Sequence, residues 1–434
     1  MLEKAKDLDD VFNLFWPVPL TKDERDFYEN LTAVRTGRSI EHHYSIFERI
    51  MKSKKRVNIF VIGHIGCGKT TELNMLQGMF ELNSVPSFMI EAKNLDKNNF
   101  GFFDIILCIA EKILDYVGKN KIGIDSSVIK KFYESLYTQE LSDIMQTSTK
   151  LDMYTETSLG TPNLLKSLLS FVAKLNAGLR LTTESGKKLR RTIEPSTQSV
   201  VQALNDLLNV VYKIEKKTPV IVIDDLEKCK QENVQKLLED TLSSLTDMDA
   251  HFVMGIPRSA DISLFQSSIL EMIPLVKTHD MSTERLPNQK GINKIIELIL
   301  RRAEEKLFEE EVLNEIIQKC GGNLRYTMQM VSESAFQAML QGRETIDLAT
   351  AKRALREFRN DIFDRVQSKY FRLVRELYDA PQRGKQDNER ADLLYSGALF
   401  EYNGENGDRW VDLHPLLVDY LKDNPKVLDY ARAT

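Results

Sequence analysis

The sequence predicts an α/β protein: a parallel sheet covered by helices on both faces, then a helical lid and a small winged-helix-like C-terminal domain. Three observations carry this. Gly63-His64-Ile65-Gly66-Cys67-Gly68-Lys69-Thr70 spells a complete phosphate-binding loop, G-x-x-x-x-G-K-T, with the apolar, β-branched run Val57–Ile62 ahead and helical apolar spacing over Thr71–Phe80 behind. Val220–Ile223 is a second buried-strand run, and it ends in two acids, Asp224 and Asp225. Further short apolar runs alternate with helical stretches, the pattern of a parallel sheet with crossover helices.

Strand, glycine loop and helix form the context that turns such a motif into a site. The glycines let backbone N–H groups close around phosphates, and the helix N-terminus adds its positive end. Gly63, Ile65, Gly66, Cys67, Gly68, Lys69, Thr70 and Thr71 are the expected nucleotide contacts. Lys69 is expected to reach the β- and γ-phosphates, and the Thr70 hydroxyl to ligate Mg²⁺. Asp224 stands at the C-terminal end of its strand, where α/β sheets place ligands, and is the expected carboxylate on the Mg²⁺ side. Asp225 is expected to polarise the attacking water, with Glu227 as the alternative. No Asn-Lys-x-Asp guanine reader is visible, so ATP and ADP are the expected ligands. Three more strands fit the same sheet: Val85–Glu91, His251–Ile256 after a helical stretch near Val234–Leu245, and Met272–Val276.

With these residues in place, the chain resembles the additional-strand P-loop ATPases, the AAA+ and STAND group, and most of all the bacterial AAA/STAND-type ATP-binding proteins. The resemblance rests on residues 63–73, on Val222–Lys228, on Val253–Arg258 and on Cys320-Gly321-Gly322-Asn323-Leu324-Arg325, and it covers most of the chain from about residue 40. It implies a P-loop NTPase core, Mg·ATP as ligand and a helical lid. Relatives often place an Asn near the end of the strand after the acidic one. Here the neighbourhood reads Ile256-Pro257-Arg258-Ser259, so the resemblance gives Arg258 the γ-phosphate-sensing role; a solvated turn residue is the other reading. It also makes Arg325 the second sensor, reaching the nucleotide from the lid, against a plain surface arginine. No arginine finger is evident; Lys277, Arg301 and Arg302 are candidates by position alone, so slow turnover is expected.

The expected division is an N-terminal arm over 1–40, the ATPase core over 41–285 with a helical insert at about 123–195, the lid over 286–358 and the winged-helix-like domain over 359–434. Lid helices are expected over Gly291–Lys306, Glu309–Lys319 and Asn323–Gln341 from their apolar periodicity. In the last part, a helical stretch at Asp361–Tyr378 precedes alternating residues around an Asn403–Asp408 turn, a hairpin signal. That wing carries Glu401, Glu405, Asp408 and Asp412 against Arg409, the wrong sign for phosphate contact. His414, before Pro415, reads as structural. The insert holds an apolar helix at Leu164–Leu175, too short and charged to span a membrane, and a basic cluster, Gly186–Arg191. The arm, rich in aromatics and proline, reads as extended, docked on a neighbouring subunit or folded back.

A chain of 434 residues with a net charge of −5 is not a basic nucleic-acid binder overall. The four cysteines, Cys67, Cys108, Cys229 and Cys320, lack C-x-x-C spacing, which argues against zinc and fits a reducing cytoplasm. No signal peptide or membrane span is expected. The function these features favour is an ATP-dependent molecular switch that hydrolyses slowly and controls oligomerisation or a partner effector. Defence against phage is one role the resemblance implies. The rival is a DNA-binding AAA+ ATPase that loads or remodels a nucleoprotein complex; nucleic acid is the less favoured partner.

Overall fold

The computed structural model describes residues 3–95, 100–136, 161–179, 197–245, 247–261, 265, 268–383, 387–404 and 407–427. The basic cluster at 186–191 and Glu405 lie outside the described residues. In chain order, the arm carries α1 (Leu8–Leu14) and α2 (Thr32–Thr36). There follow α3 (His42–Lys52), β1 (Asn58–Gly63), α4 (Lys69–Leu82), β2 (Ser87–Glu91), α5 (Phe102–Lys119), α6 (Ser126–Leu136), α7 (Thr161–Leu179) and α8 (Thr197–Glu215). β3 (Val220–Asp224), α9 (Gln231–Leu245), β4 (His251–Pro257) and β5 (Ile269–Ile273) complete the sheet region. Then come α10 (Gln289–Leu300), α11 (Val312–Lys319), α12 (Leu324–Leu340) and α13 (Leu348–Asp364). The last stretch holds α14 (Phe371–Asp379), β6 (Gln382–Arg383), α15 (Asn388–Ser396), β7 (Leu399–Asn403), β8 (Arg409–Leu413) and α16 (Pro415–Asp423).

The five-stranded sheet runs β2-β3-β4-β1-β5, with every pairing parallel. The acidic strand and the loop strand are therefore separated by β4, and all three end on one edge. Strand side chains alternate between faces. Ile59, Val61, Val220, Val222 and Val253 join one apolar core, shared with the arm, α4, the lid helices and the C-terminal elements. Phe60, Ile62, Ile221, Ile223, Phe252 and Met254 join a second, shared with helices α5 to α9. Burial on both faces is why these strands read as unbroken apolar runs. No helix among the described residues is long and apolar enough to cross a membrane.

Proline sets two strand limits that apolarity alone misplaces. Val85–Glu91 becomes Ser87–Glu91, starting after Pro86. Met272–Val276 becomes Ile269–Ile273, ending before Pro274, which has no N–H to give the ladder. The helical stretch expected over Asp361–Tyr378 is two helices, α13 and α14, parted by a 3₁₀ turn at Ser368–Tyr370. The lid stretch expected to reach Lys306 ends as α10 at Leu300.

The arm is not extended throughout. Asp7 caps α1 by accepting from Asp10 N–H at 2.8 Å. Val11 and Phe15 are fully buried, and α1 packs along α12. Ser332 Oγ donates to the Phe12 carbonyl at 2.7 Å, and Ala5 forms a bridge to Ala303. The arm thus folds back on its own chain. At the other end, β7 and β8 form an antiparallel hairpin with β6 on the outer side of β8. His414, buried, accepts from Leu416 N–H and opens α16 with Pro415 in its first turn.

Candidate nucleotide site

β1 delivers the glycine loop to the sheet edge, and α4 starts at Lys69 with Gly68 as its cap. Gly66 and Gly68 hold φ of 83° and 103°, a region that favours glycine. Lys69 is buried, and its Nζ donates to the carbonyls of Gly63 at 2.9 Å and His64 at 3.0 Å. Glu227 Oε2 lies 3.7 Å from the same amine. Burial works against the Lys69 charge, but Glu227, the Cys67 thiol and Asp224 outweigh it and hold the amine above its ordinary pKa.

Asp224 ends β3 buried beside the loop. Burial first, then the Glu227 carboxylate, pushes its pKa up to about 6, while the nearby Thr70 side chain acts in the opposite direction. Gly255 on β4 makes room for it, since a Cβ there would come within 2.8 Å of Asp224 Oδ1. A desolvated carboxylate facing a threonine hydroxyl at a phosphate loop fits a divalent cation.

Asp225 departs from expectation. Its backbone is left-handed, φ 67°, and the 3₁₀ turn Leu226–Lys228 follows at once. The turn directs its carboxylate to Lys228, 2.5 Å away, and to Lys93, at 3.6 Å. The same turn brings Glu227 back to Lys69. Glu227, the alternative to Asp225, is thus the carboxylate paired with the loop lysine, while Asp225 pairs with Lys228 and Lys93.

The start of α12 lies directly on the loop. Asn323 caps α12 by accepting from Tyr326 N–H, and its Nδ2 donates to the Ile65 carbonyl at 2.8 Å. Arg325 N–H donates to the Gly66 carbonyl at 3.1 Å. A Cβ on Gly66 would fall 2.4 Å from Asn323 Oδ1 and 2.7 Å from Arg325 Cβ. Arg325 is thus brought to the loop, close enough for its charge to act on Lys69. Asn323 was not singled out by sequence reading, although an Asn after Gly321-Gly322 and before an apolar run is an N-cap signal.

The arm supplies the remaining wall. Arg35, buried, donates from Nη2 to the Cys67 carbonyl at 2.5 Å. Leu20 N–H donates to Thr71 Oγ1 at 3.2 Å, and Asn74 Nδ2 to the Leu20 carbonyl at 2.8 Å. Glu72, three residues past Lys69, accepts from Tyr28 Oη at 2.9 Å and contacts His43 Nδ1 at 2.7 Å. Burial opposes the Glu72 charge, yet His43, His42 and Arg35 hold its pKa down to about 2. Between the arm (Pro17–Leu20, Tyr28), Leu298 of α10, Met328 of α12 and the loop is a pocket with a cavity volume of about 90 Å³.

Arg258 is neither a free sensor nor a solvated turn residue. It is buried and donates from Nε and Nη2 to both carboxylate oxygens of Glu401 at 2.6 Å. Its backbone N–H bonds the Gly63 carbonyl, and His64 Nε2 accepts from Glu401 N–H at 2.8 Å, so β7 docks against the loop. Two acids of the C-terminal hairpin, expected to be solvated, are buried as well. Glu401 and Asp412 face inward; Asp412 meets Arg285 at 2.8 Å and His279 at 3.0 Å. Of the candidate fingers, Arg301 pairs with Glu29 and Arg302 is buried in the pocket wall.

Residues 43–248, a little under half of the chain, match the model of the KAP family P-loop domain. No curated protein matches the chain. Among solved structures, the Aeropyrum pernix Orc1 protein in complex with DNA is similar at 13% identity and TM-score 0.39, over 91% of this chain and 93% of that one. Cdc6p from Pyrobaculum aerophilum is similar at 10% identity and TM-score 0.38, over 89% and 92%. The Thermotoga maritima RuvB Holliday junction branch migration motor follows at 11% and 0.34, over 92% and 98%. The chain has the fold of a P-loop NTPase.

Proposed function

We propose that the protein is an ATP-dependent molecular switch: Mg·ATP binds at the loop between core, arm and lid, is hydrolysed slowly, and its state sets the lid position. The output is oligomerisation or engagement of a partner protein. The observation supporting this is the lid's grip on the loop, Asn323 on the Ile65 carbonyl and Arg325 N–H on the Gly66 carbonyl. A loop that adjusts to phosphate must disturb two hydrogen bonds that hold α12, which ties nucleotide state to lid angle.

In this reading Lys69 and Arg325 offer positive charge to the phosphates, with the loop N–H groups and the start of α4. Thr70 and Asp224 would hold Mg²⁺, which supplies charge neutralisation on the phosphates. Glu227, kept beside Lys69, is the residue we assign to orienting water. Light scattering tests the whole: molar mass is expected to rise with Mg·ATP over the nucleotide-free and ADP samples. Equal masses in all three, together with unchanged small-angle scattering, would overturn the switch.

One observation favours the rival, a DNA-remodelling ATPase. With Glu401 and Asp412 buried, two of the four acids that argued against phosphate contact do not face solvent. DNA-stimulated turnover with steep salt dependence would support that reading instead.

A further inference from the structure

We infer that Arg302 reads the base of the bound nucleotide, donating hydrogen bonds from within the pocket wall to the base's acceptor edge. This rests on the nucleotide reading above and adds a specificity residue to it. Arg302 follows α10, and its carbonyl accepts from Ala5 N–H at 2.8 Å, which fixes its backbone against the arm. The side chain is only 8% exposed and lines the pocket with Leu298, Met328 and the Pro17–Leu20 segment. Its Nη1 donates to Met328 Sδ at 3.7 Å, and sulfur is a weak acceptor. Its Nε has no partner among the described residues.

The nearby acids are engaged elsewhere. Glu29 is held by Lys294 at 2.5 Å and by Arg301, Glu72 by His43 and Tyr28, and Glu227 lies beside Lys69. Burial brings the Arg302 pKa down to about 10, and Glu24, acting through space, opposes that. A buried guanidinium that forms no ion pair with a carboxylate is costly to fold, so its presence points to an acceptor that arrives with a ligand. Arginine is donor-only, with five N–H groups in a fixed fork. The phosphates are provided for at the loop by Lys69, Thr70 and Arg325. What a nucleotide brings to the apolar end is its base, whose ring nitrogens and carbonyl oxygens are acceptors.

Calorimetric titration of wild type, Arg302→Met and Arg302→Lys with Mg·ATP and with inorganic tripolyphosphate tests this, alongside thermal unfolding of each unliganded protein. Arg302→Met should bind ATP at least tenfold more weakly and tripolyphosphate as wild type does, with Arg302→Lys between. Its unliganded melting temperature should stay level or rise, since a desolvated charge is removed. Equal ATP affinity in Arg302→Met, or equal weakening for both ligands, would overturn the assignment. A wild-type protein that binds neither ligand would instead sink the nucleotide reading itself. Should Arg302→Met not fold, Arg302→Lys decides: wild-type ATP affinity overturns the assignment, and a selective loss for ATP supports it.

Discussion

The two faces of the sheet are built from the same alternating strands yet do different work. One face meets the arm, α4, the lid and the C-terminal elements, and Lys69, Arg35, Arg302, Asn323 and Arg325 all come from segments packed on that side. The other face meets α5 to α9 and is apolar almost throughout. At the sheet edge Asp224, which ends β3, continues the Val220–Val222 alternation and so falls on the first face with the loop. The contrast separates residues that hold the fold up from residues through which a nucleotide would be felt.

Mutations on either side can break that separation. Leu107→Ala, in the fully buried centre of α5, should cost about 2–5 kcal/mol in urea unfolding while leaving ATP affinity unchanged; a parallel loss of affinity would join the two faces. Lys69→Ala should weaken ATP about 100-fold through a lost charge-assisted contact. Full affinity in that variant would refute the loop assignment.

Acid should weaken the site face. Burial, then Arg258 and Lys69, lowers the His64 pKa to about 3, and burial with Arg365 does the same for His414. Both stay neutral when folded and gain protons below the ordinary value of 6.5 when unfolded, so their stabilisation is full above that pH and drains as pH falls toward 3. Each should cost about 2 kcal/mol between pH 7 and pH 5. His414→Gln should recover one such share, and an unchanged pH profile would show that His414 does not stay buried and neutral. A difference of about 100-fold in turnover should separate Glu227→Gln from Asp225→Asn with ATP binding retained in both. The opposite ranking would restore Asp225 to the role its position in sequence suggests.

Local pattern made the loop, the acidic strand and the sheet legible, since each is written in consecutive residues. Arg325 was placed by resemblance rather than by pattern. The rest of the site depends on distant pairings. Arg35 meets Cys67, Tyr28 meets Glu72, and Arg258 meets Glu401 across 143 residues; no spacing rule encodes such contacts. Asp225 enters a left-handed turn that takes its carboxylate to Lys228 and Lys93, which its place after an apolar strand does not foretell. Glu401 and Asp412 were misplaced because an acid in a hairpin reads as solvated unless its buried partner is known.

Lys69 is not a hand held out to phosphate. Its amine is already satisfied by the carbonyls of Gly63 and His64. Association with a triphosphate is therefore an exchange reaction, in which two internal acceptors are traded for external ones. The loop carries its own competitor, and binding strength reports only the difference between the two sets. A change that weakens the internal pair without touching the amine, such as one that shifts the Gly63 carbonyl, should tighten nucleotide binding rather than loosen it.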